Sequence, residues 1–299
     1  MTMGRRGLLA MAALLAFCLA PARADKPRAI KIDGKFDDWA GIKSYTDPAH
    51  NCHDTDHKGR DDKPDPVENP DTDLLEYKFT HDKENLYAYF RSRGKIGNTQ
   101  VEGPGKLAGR FYAVLALDVD NNPKTGYWIN EGGYYPTSDG YDVNAEIEWF
   151  NGQFNAGWYL NHECLDQAEL DQAFLDQSAG KYRKNHDGPY PAGFIRMGPG
   201  TYKYYTQWVY HKNDTITFTR DKGLKLPGIV EGALSPDGHE LEMCIPFKGF
   251  LKTKDGAPLV KLGATINISF SLEASGELCK DKRWSSNSGK PIKGYVLEP

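Results

Sequence analysis

The chain has 299 residues, with 37 Lys and Arg against 41 Asp and Glu, a formal net charge of −4. Both signs are mixed along the sequence, which excludes the basic footprint of a nucleic-acid-binding surface. A content of 31 Gly, 17 Tyr and 13 Phe, with few long helical patterns, points to an all-β chain.

Residues 1–24 read as a signal peptide. Arg5-Arg6 is a basic start, Gly7 to Leu19 is apolar, and Ala22-Arg23-Ala24 fits an A-x-A cleavage site. The apolar run is too short and wrongly flanked for a membrane anchor, and no other segment is long and apolar enough to span a bilayer. The twin arginines raise a twin-arginine export route, although the rest of that motif is weak. Cys18 follows the bulky Phe17, which argues against lipid attachment. The expectation is an exported protein, periplasmic or extracellular, with no membrane partner and no signal for its oligomeric state. About 275 residues remain, enough for one large β domain. No Pro/Ser-rich linker divides residues 25–299, so they form a single domain.

Ile30 and Ile32 alternate as a short strand, Asp33-Gly34 turns, and Trp39 is expected to pack under the sandwich. His50 to Asp73 is a polar, Pro-broken loop. Its His50, Cys52, His53, Asp56 and His57 include transition-metal ligand types, but their spacing matches no standard zinc site. Leu74 to Arg93 holds a hairpin, with Leu75, Tyr77 and Phe79 alternating against Glu76, Lys78 and Thr80 and a turn at Asp82 to Asn85. Phe111 to Leu117 is an almost unbroken apolar strand, expected to be buried on both faces.

That strand runs into Asp118-Val119-Asp120-Asn121-Asn122-Pro123. Asp118, Asp120 and Asn122 are spaced i, i+2, i+4, with further acids at Asp139 and Asp142. A tight loop can converge such hard oxygens on one point, which suits calcium. Pro123 and Ile129 stand where an EF-hand needs Gly and Glu, so this is a structural calcium loop of another kind or a metal-free Asp/Asn turn.

The next segment is a long aromatic loop, Trp128 to Asp142. A strand follows with Val143, Ala145, Ile147 and Trp149 inward and Asn144, Glu146 and Glu148 outward. The chain then turns at Gly152-Gln153 into Phe154 to Tyr159. Leu165 to Gln177 reads as one short helical insertion. On Tyr202 to His211, Trp208 shares a face with Tyr202, Tyr204, Thr206 and Tyr210. Glu240 to Pro246 sends Leu241, Met243 and Ile245 inward and Glu240, Glu242 and Cys244 outward. Thr265 to Leu272 is expected to be the final core strand. Cys52, Cys164, Cys244 and Cys279 are an even set in an exported chain, which implies two disulfides with three pairings open. The whole pattern is an antiparallel β-sandwich.

Three pieces together resemble one family: IDGKFDDW at Ile32 to Trp39, LDVDNNPKTGY at Leu117 to Tyr127, and DGHELEMCIPF at Asp237 to Phe247. THDKENLYAYF at Thr80 to Phe90 matches in style and position. The chain resembles the family 9 carbohydrate-binding modules, within the broader DOMON-like sandwiches. The resemblance covers most of the mature chain, with insertions at residues 50–70 and 160–200. It implies a jelly-roll-like sandwich, bound calcium and recognition of sugars, and it places Asp118, Asp120 and Asn122 on the family's acidic loop. No second, catalytic domain accompanies the module, a departure from the family's usual attachment to glycoside hydrolases.

Sugar rings stack their C–H faces on flat aromatics while their hydroxyls take polar partners. The candidates for that role are Trp128, Tyr134 and Tyr135, with Trp158 and Trp208 after them. A core position suits Trp208 better, because a strand with one aromatic face usually buries it, and Trp284 serves either a site or the core. The expected function is binding of a poly- or oligosaccharide, in the service of carbohydrate catabolism. Two alternatives stand beside it. Some DOMON-like relatives hold haem and carry electrons, for which Met197 or Met243 with His81, His211 or His239 would be the axial ligands. A glycoside hydrolase would need a carboxylate pair. Glu146 and Glu148, with Cα atoms about 6.5–7 Å apart by strand rise, point the same way and do not flank a bond.

Overall fold

Alternating side chains along each strand build two antiparallel sheets with one apolar core between them. The computed structural model describes residues 27–55, 64–100, 109–122, 141, 143–150, 153–161, 206–211, 214–216, 230–247, 260–280 and 282–299, with the backbone alone over 143–144, 153–161, 206–211 and 214–216. The strands are β1 (Ser44–Thr46), β2 (His53–Asp54), β3 (Leu74–His81), β4 (Asn85–Ser92), β5 (Arg110–Asp118), β6 (Val143–Phe150) and β7 (Gln153–Asn161). They continue as β8 (Thr206–His211), β9 (Asp214–Ile216), β10 (Glu231–Leu234), β11 (Glu240–Pro246), β12 (Thr265–Ala274), β13 (Ser285–Ser288) and β14 (Ile292–Val296). The smaller sheet runs β1-β3-β4-β11-β10. The larger runs β2-β13-β12-β5-β6-β7-β8-β9, with β14 also paired to β12. The expected all-β antiparallel sandwich is therefore the observed one. The helical insertion expected at Leu165 to Gln177 lies outside the described residues.

Leu86, Ala88 and Phe90 of β4 and Leu241, Met243 and Ile245 of β11 face Phe111, Ala113, Leu115 and Leu117 of β5 and Ile266, Ile268, Phe270 and Leu272 of β12. Phe270 stands at the centre, its ring 4.9 Å from Tyr77 and 5.0 Å from Phe90 between centroids. Each such side chain contributes about 1.5–3 kcal/mol on burial. β5 is buried on both faces as expected, with Val114 and Ala116 covered on the side away from the core.

Several local expectations are corrected. A register shift between Leu74 and Glu76 places Leu74 in the core, while Leu75 is only half-buried. Thr265–Ala274 is not the last strand, since β13 and β14 follow it. Ile30 to Ile32 forms no strand. Its segment crosses the outer face of the smaller sheet, where Ile30, Trp39 and Ile42 pack on Tyr87 and Tyr89 as a second apolar cluster. Trp39 is thus buried outside the central core, its ring 5.6 Å from Tyr89.

Glu242 holds that segment down. It points outward from β11 as expected, yet it is wholly buried. Oε1 accepts the backbone N–H groups of Asp33 and Gly34, both at 2.6 Å, and Oε2 accepts Trp39 Nε1–H at 3.2 Å. Burial pushes the carboxyl pKa up, and these three donors pull against that rise. Gly34 is required at its position. Its φ is +76°, and a Cβ there would meet Leu234 O at 2.7 Å.

No disulfide occurs among the described residues. Cys52 and Cys244 carry free thiols, and Cys164 lies outside the described residues. Cys244 packs against the outer cluster with Ile32 and Phe36. Cys52 donates to Asn69 O at 3.3 Å, and Asn69 Nδ2–H donates to Cys279 Sγ at 3.5 Å. Burial pushes the Cys52 thiol up to about 12, far from the thiolate state needed for exchange.

At the other end of the chain, the buried His81 ring pins the tail. Nδ1 contacts the Tyr295 hydroxyl at 2.9 Å and Nε2 the Glu298 carbonyl at 3.0 Å. Burial lowers its pKa below 6.5.

Glu242→Ala leaves two backbone N–H groups and an indole N–H unpaired. It should cost about 2–4 kcal/mol by denaturant titration, against a near-zero cost for an exposed Glu→Ala control. His81 is held neutral when folded, so the unfolded chain takes up its proton first as pH falls through 6.5. Stability from this group is therefore present above 6.5 and is lost as pH falls towards the lowered folded value. Wild type should lose more stability between pH 7.5 and pH 5 than His81→Gln does, measured by urea unfolding at both pH values.

Candidate functional site

The face of the larger sheet turned away from the core is polar and aromatic, and strand register decides its membership. Tyr112 of β5 stands opposite Glu148 of β6 and Glu273 of β12, and Val114 stands opposite Glu146 and Ser271. Ser271 is opposite Ser288 of β13, Glu273 is opposite Ser286, and Ser286 is opposite His53 of β2. Every second residue of five adjacent strands therefore shares this face.

Its floor is made of small hydroxyl residues. Ser269, Ser271, Ser286 and Ser288 are all buried. Ser288 Oγ–H donates to Ser271 Oγ at 3.1 Å, and Ser271 Oγ–H to the Asn287 carbonyl at 3.3 Å. Ser286 Oγ lies 3.5 Å from His53 Nδ1.

At one side stands an aromatic pair. Trp284 enters just before β13 and stacks on Tyr112, with ring centroids 6.2 Å apart and an interplanar angle of 20°. The Tyr112 hydroxyl donates to Glu148 Oε1 at 3.0 Å, and Arg110 Nη1 forms an ion pair with the same oxygen. The Arg110 guanidinium also lies 5.0 Å from the centroid of Phe150, an exposed ring. Burial, followed by the Glu148 and Glu146 charges, pushes the Tyr112 phenol well above its usual range, so it remains a neutral donor. Glu146 and Glu148 point outward as expected, yet they are only 9% and 7% exposed. Both project from one strand face, and Glu148 is engaged by Arg110 and Tyr112. That arrangement suits positioning and hydrogen bonding, not attack from two sides of a bond.

The backbone register separates two of the sequence candidates. Trp158 is paired with Glu146, on the polar face, whereas Trp208 is paired with Tyr159, which is in turn opposite Ala145 of the core. Trp208 therefore occupies a core-side register position. Trp128, Tyr134 and Tyr135 lie outside the described residues. Sequence reasoning missed Arg110 and Tyr112 and left Trp284 undecided. The signal was present, since Arg110 and Tyr112 alternate with core residues in a strand that is otherwise apolar, opposite the outward Glu146 and Glu148.

The acidic loop leaves β5 at the end of the same face. Asp118 is 4% exposed. Its Oδ1 accepts the Asn122 N–H at 3.1 Å, which Asp120 Oδ1 also accepts at 3.0 Å, so the two carboxylates converge. Asn267 Nδ2–H donates to Asp118 Oδ2 at 2.8 Å and to Asn121 Oδ1 at 2.7 Å. Burial, with Asp120 adding to it, raises the Asp118 pKa against the Asn267 and Asn122 hydrogen bonds. Two converging carboxylates and an amide oxygen are the donor chemistry of calcium. No group of three or more His, Cys, Asp or Glu side chains suited to a metal occurs among the described residues. Asp139 and Asp142 lie outside them.

Of the haem candidates, Met243 is wholly buried in core packing and both His81 ring nitrogens are engaged. His239 is half-buried in the turn before β11, and the Met197 position and the His211 side chain are not among those described.

No family profile and no curated protein matches the sequence. Among solved structures, the chain is similar to a family 9 carbohydrate-binding module from Caldicellulosiruptor kristjanssonii, determined in complex with glucose and in complex with cellotriose. The TM-scores are 0.35 and 0.34, with 11% identity in both cases. The superpositions cover 88% of this chain and 82% and 80% of those chains. At such scores the superpositions identify no ligand-contacting residue here.

Proposed function

We propose that this chain is an exported, non-catalytic carbohydrate-binding protein, stabilised by calcium, that takes a poly- or oligosaccharide on the polar face of its larger sheet. The observation that carries this reading is the Tyr112–Trp284 stack, set beside Glu148, Arg110 and a floor of serine hydroxyls. A pyranose ring needs a flat apolar surface for its C–H face and acceptors and donors for its hydroxyls. Trp284 supplies the surface, the Glu146 and Glu148 carboxylates supply acceptors, and Arg110 supplies N–H donors. The half-buried indole and the exposed Phe150 leave aromatic surface at the rim. Binding without cleavage follows from the shared direction of the two carboxylates and the tie between Glu148 and Arg110.

In this reading calcium sits in the Asp118 loop, held by Asp118 and Asp120 with the Asn122 segment. It offsets the repulsion between the buried Asp118 carboxylate and the exposed Asp120 carboxylate that converges on it, and fixes the end of β5.

Full-length protein on a glycan array should show saturable binding. Trp284→Ala and Glu148→Gln should each weaken it about tenfold, roughly the loss of one stacking contact or one charge-assisted hydrogen bond. Unchanged affinity in both variants, with melting temperatures intact, would remove the site from this face. For the loop, EDTA should lower the melting temperature of wild type more than that of Asp118→Asn/Asp120→Asn, compared in one scanning series.

A further inference from the structure

The polar face carries a second aromatic position beside the Tyr112–Trp284 stack. Phe150 ends β6 on the same outward side as Glu146 and Glu148, and it stands opposite Arg110 of β5. It is 40% exposed, the most exposed aromatic ring among the described residues. A single exposed phenylalanine is ordinary on a protein surface. Position singles this one out. The Arg110 guanidinium lies 5.0 Å from the Phe150 centroid and is paired to Glu148, which also accepts the Tyr112 hydroxyl at 3.0 Å. Phe150, Arg110, Glu148, Tyr112 and Trp284 therefore form one continuous line of contacts.

Strand register gives that line its direction and length. Ala274 of β12 pairs with Phe111 of β5 on one side and with Ser285 of β13 on the other. One residue further along, Ser275 N–H donates to Arg110 O at 2.9 Å, and Arg110 N–H donates to Ser275 Oγ at 2.8 Å. Trp284 at the head of β13, Ser275, Arg110 and Phe150 thus occupy one row across four strands. Three strand spacings put the backbones of Trp284 and Phe150 about 14 Å apart. That separation exceeds the length of one sugar ring, and Tyr112, Glu148 and Arg110 stand between the two aromatics. The pair is therefore placed for successive rings of one chain, not for the two faces of a single ring.

We propose that Phe150 and Arg110 form a second sugar subsite, so that this face takes a linear oligosaccharide of at least two linked rings lying across the strands. The proposal rests on the carbohydrate-binding reading above. One ring lies against Trp284 beside Tyr112, and a later ring of the same chain lies on Phe150. Glu148, fixed between them by Tyr112 and Arg110, accepts hydroxyls from the rings on either side of the linkage. An arginine has five N–H groups, more than Glu148 and Tyr112 engage, and the remainder donate to hydroxyls of the ring on Phe150. A chain that reaches both subsites makes its second contact intramolecularly and gains affinity over a single ring.

The test is calorimetric titration of the full chain with mono-, di-, tri- and tetrasaccharides of glucose, mannose, xylose and N-acetylglucosamine. For the sugar that binds, affinity should rise about tenfold or more from the monosaccharide to the trisaccharide. Phe150→Ala should weaken the trisaccharide about tenfold and the monosaccharide much less, removing most of the dependence on length. Phe150→Trp, which enlarges the platform, should keep that dependence. Trp284→Ala should weaken every length. Binding that is indifferent to length, or a Phe150→Ala variant that weakens all lengths equally or none, overturns the second subsite and leaves a single-ring site standing. Binding of none of these sugars overturns the subsite and the carbohydrate-binding reading together.

Discussion

Burial of β5 on both faces is the constraint on which the rest of the structure depends. Phe111, Ala113, Leu115 and Leu117 enter the core, and Tyr112, Val114, Ala116 and Asp118 occupy the opposite face. Because the side-chain period of a strand is two, one register sets both faces. A slip by one residue against β6 or β12 would drive Tyr112 and Asp118 into the core and carry Phe111 and Leu115 out to the polar face. The apolar core therefore holds the candidate site in place, and the site residues need no scaffold of their own.

Buried polar groups do the remaining work of specification. Glu242 fastens the segment before β1 across the smaller sheet by three hydrogen bonds, and His81 fastens the tail. Glu148 orients Tyr112 and Arg110. Each buried carboxylate costs free energy that its donors offset, so these groups select one arrangement more than they add net stability. Without Glu242 the apolar cluster around Trp39 would still favour burial, but the path of the chain between Ile30 and Ile42 would be less strictly set.

Much of the sandwich was legible from alternation alone. The inward residues Ala145, Ile147 and Trp149 of β6 and Leu241, Met243 and Ile245 of β11 were read correctly because one face of each strand is apolar and the other is not. Leu74 escaped because a bulge breaks the period, and a bulge has no composition of its own. β13 was missed because Ser285-Ser286-Asn287-Ser288 carries no apolar alternation. It pairs because β12 and β2 present free ladder positions on either side of it. No disulfide occurs among the described residues, and an even count of cysteines says nothing of where the thiols come to lie.

The sequence by itself determined the class of the fold, the strands of the core and the identity of the acidic loop, because hydrophobic periodicity and turn chemistry are local properties. Only the tertiary structure decided the site. Arg110, Tyr112, Glu148 and Trp284 span nearly 180 positions of the chain and meet because β5 pairs with β6 on one side and with β12 on the other, with β13 beyond. Which outward residues become neighbours is set by strand order, and strand order is a property of the whole chain's packing that no local pattern encodes.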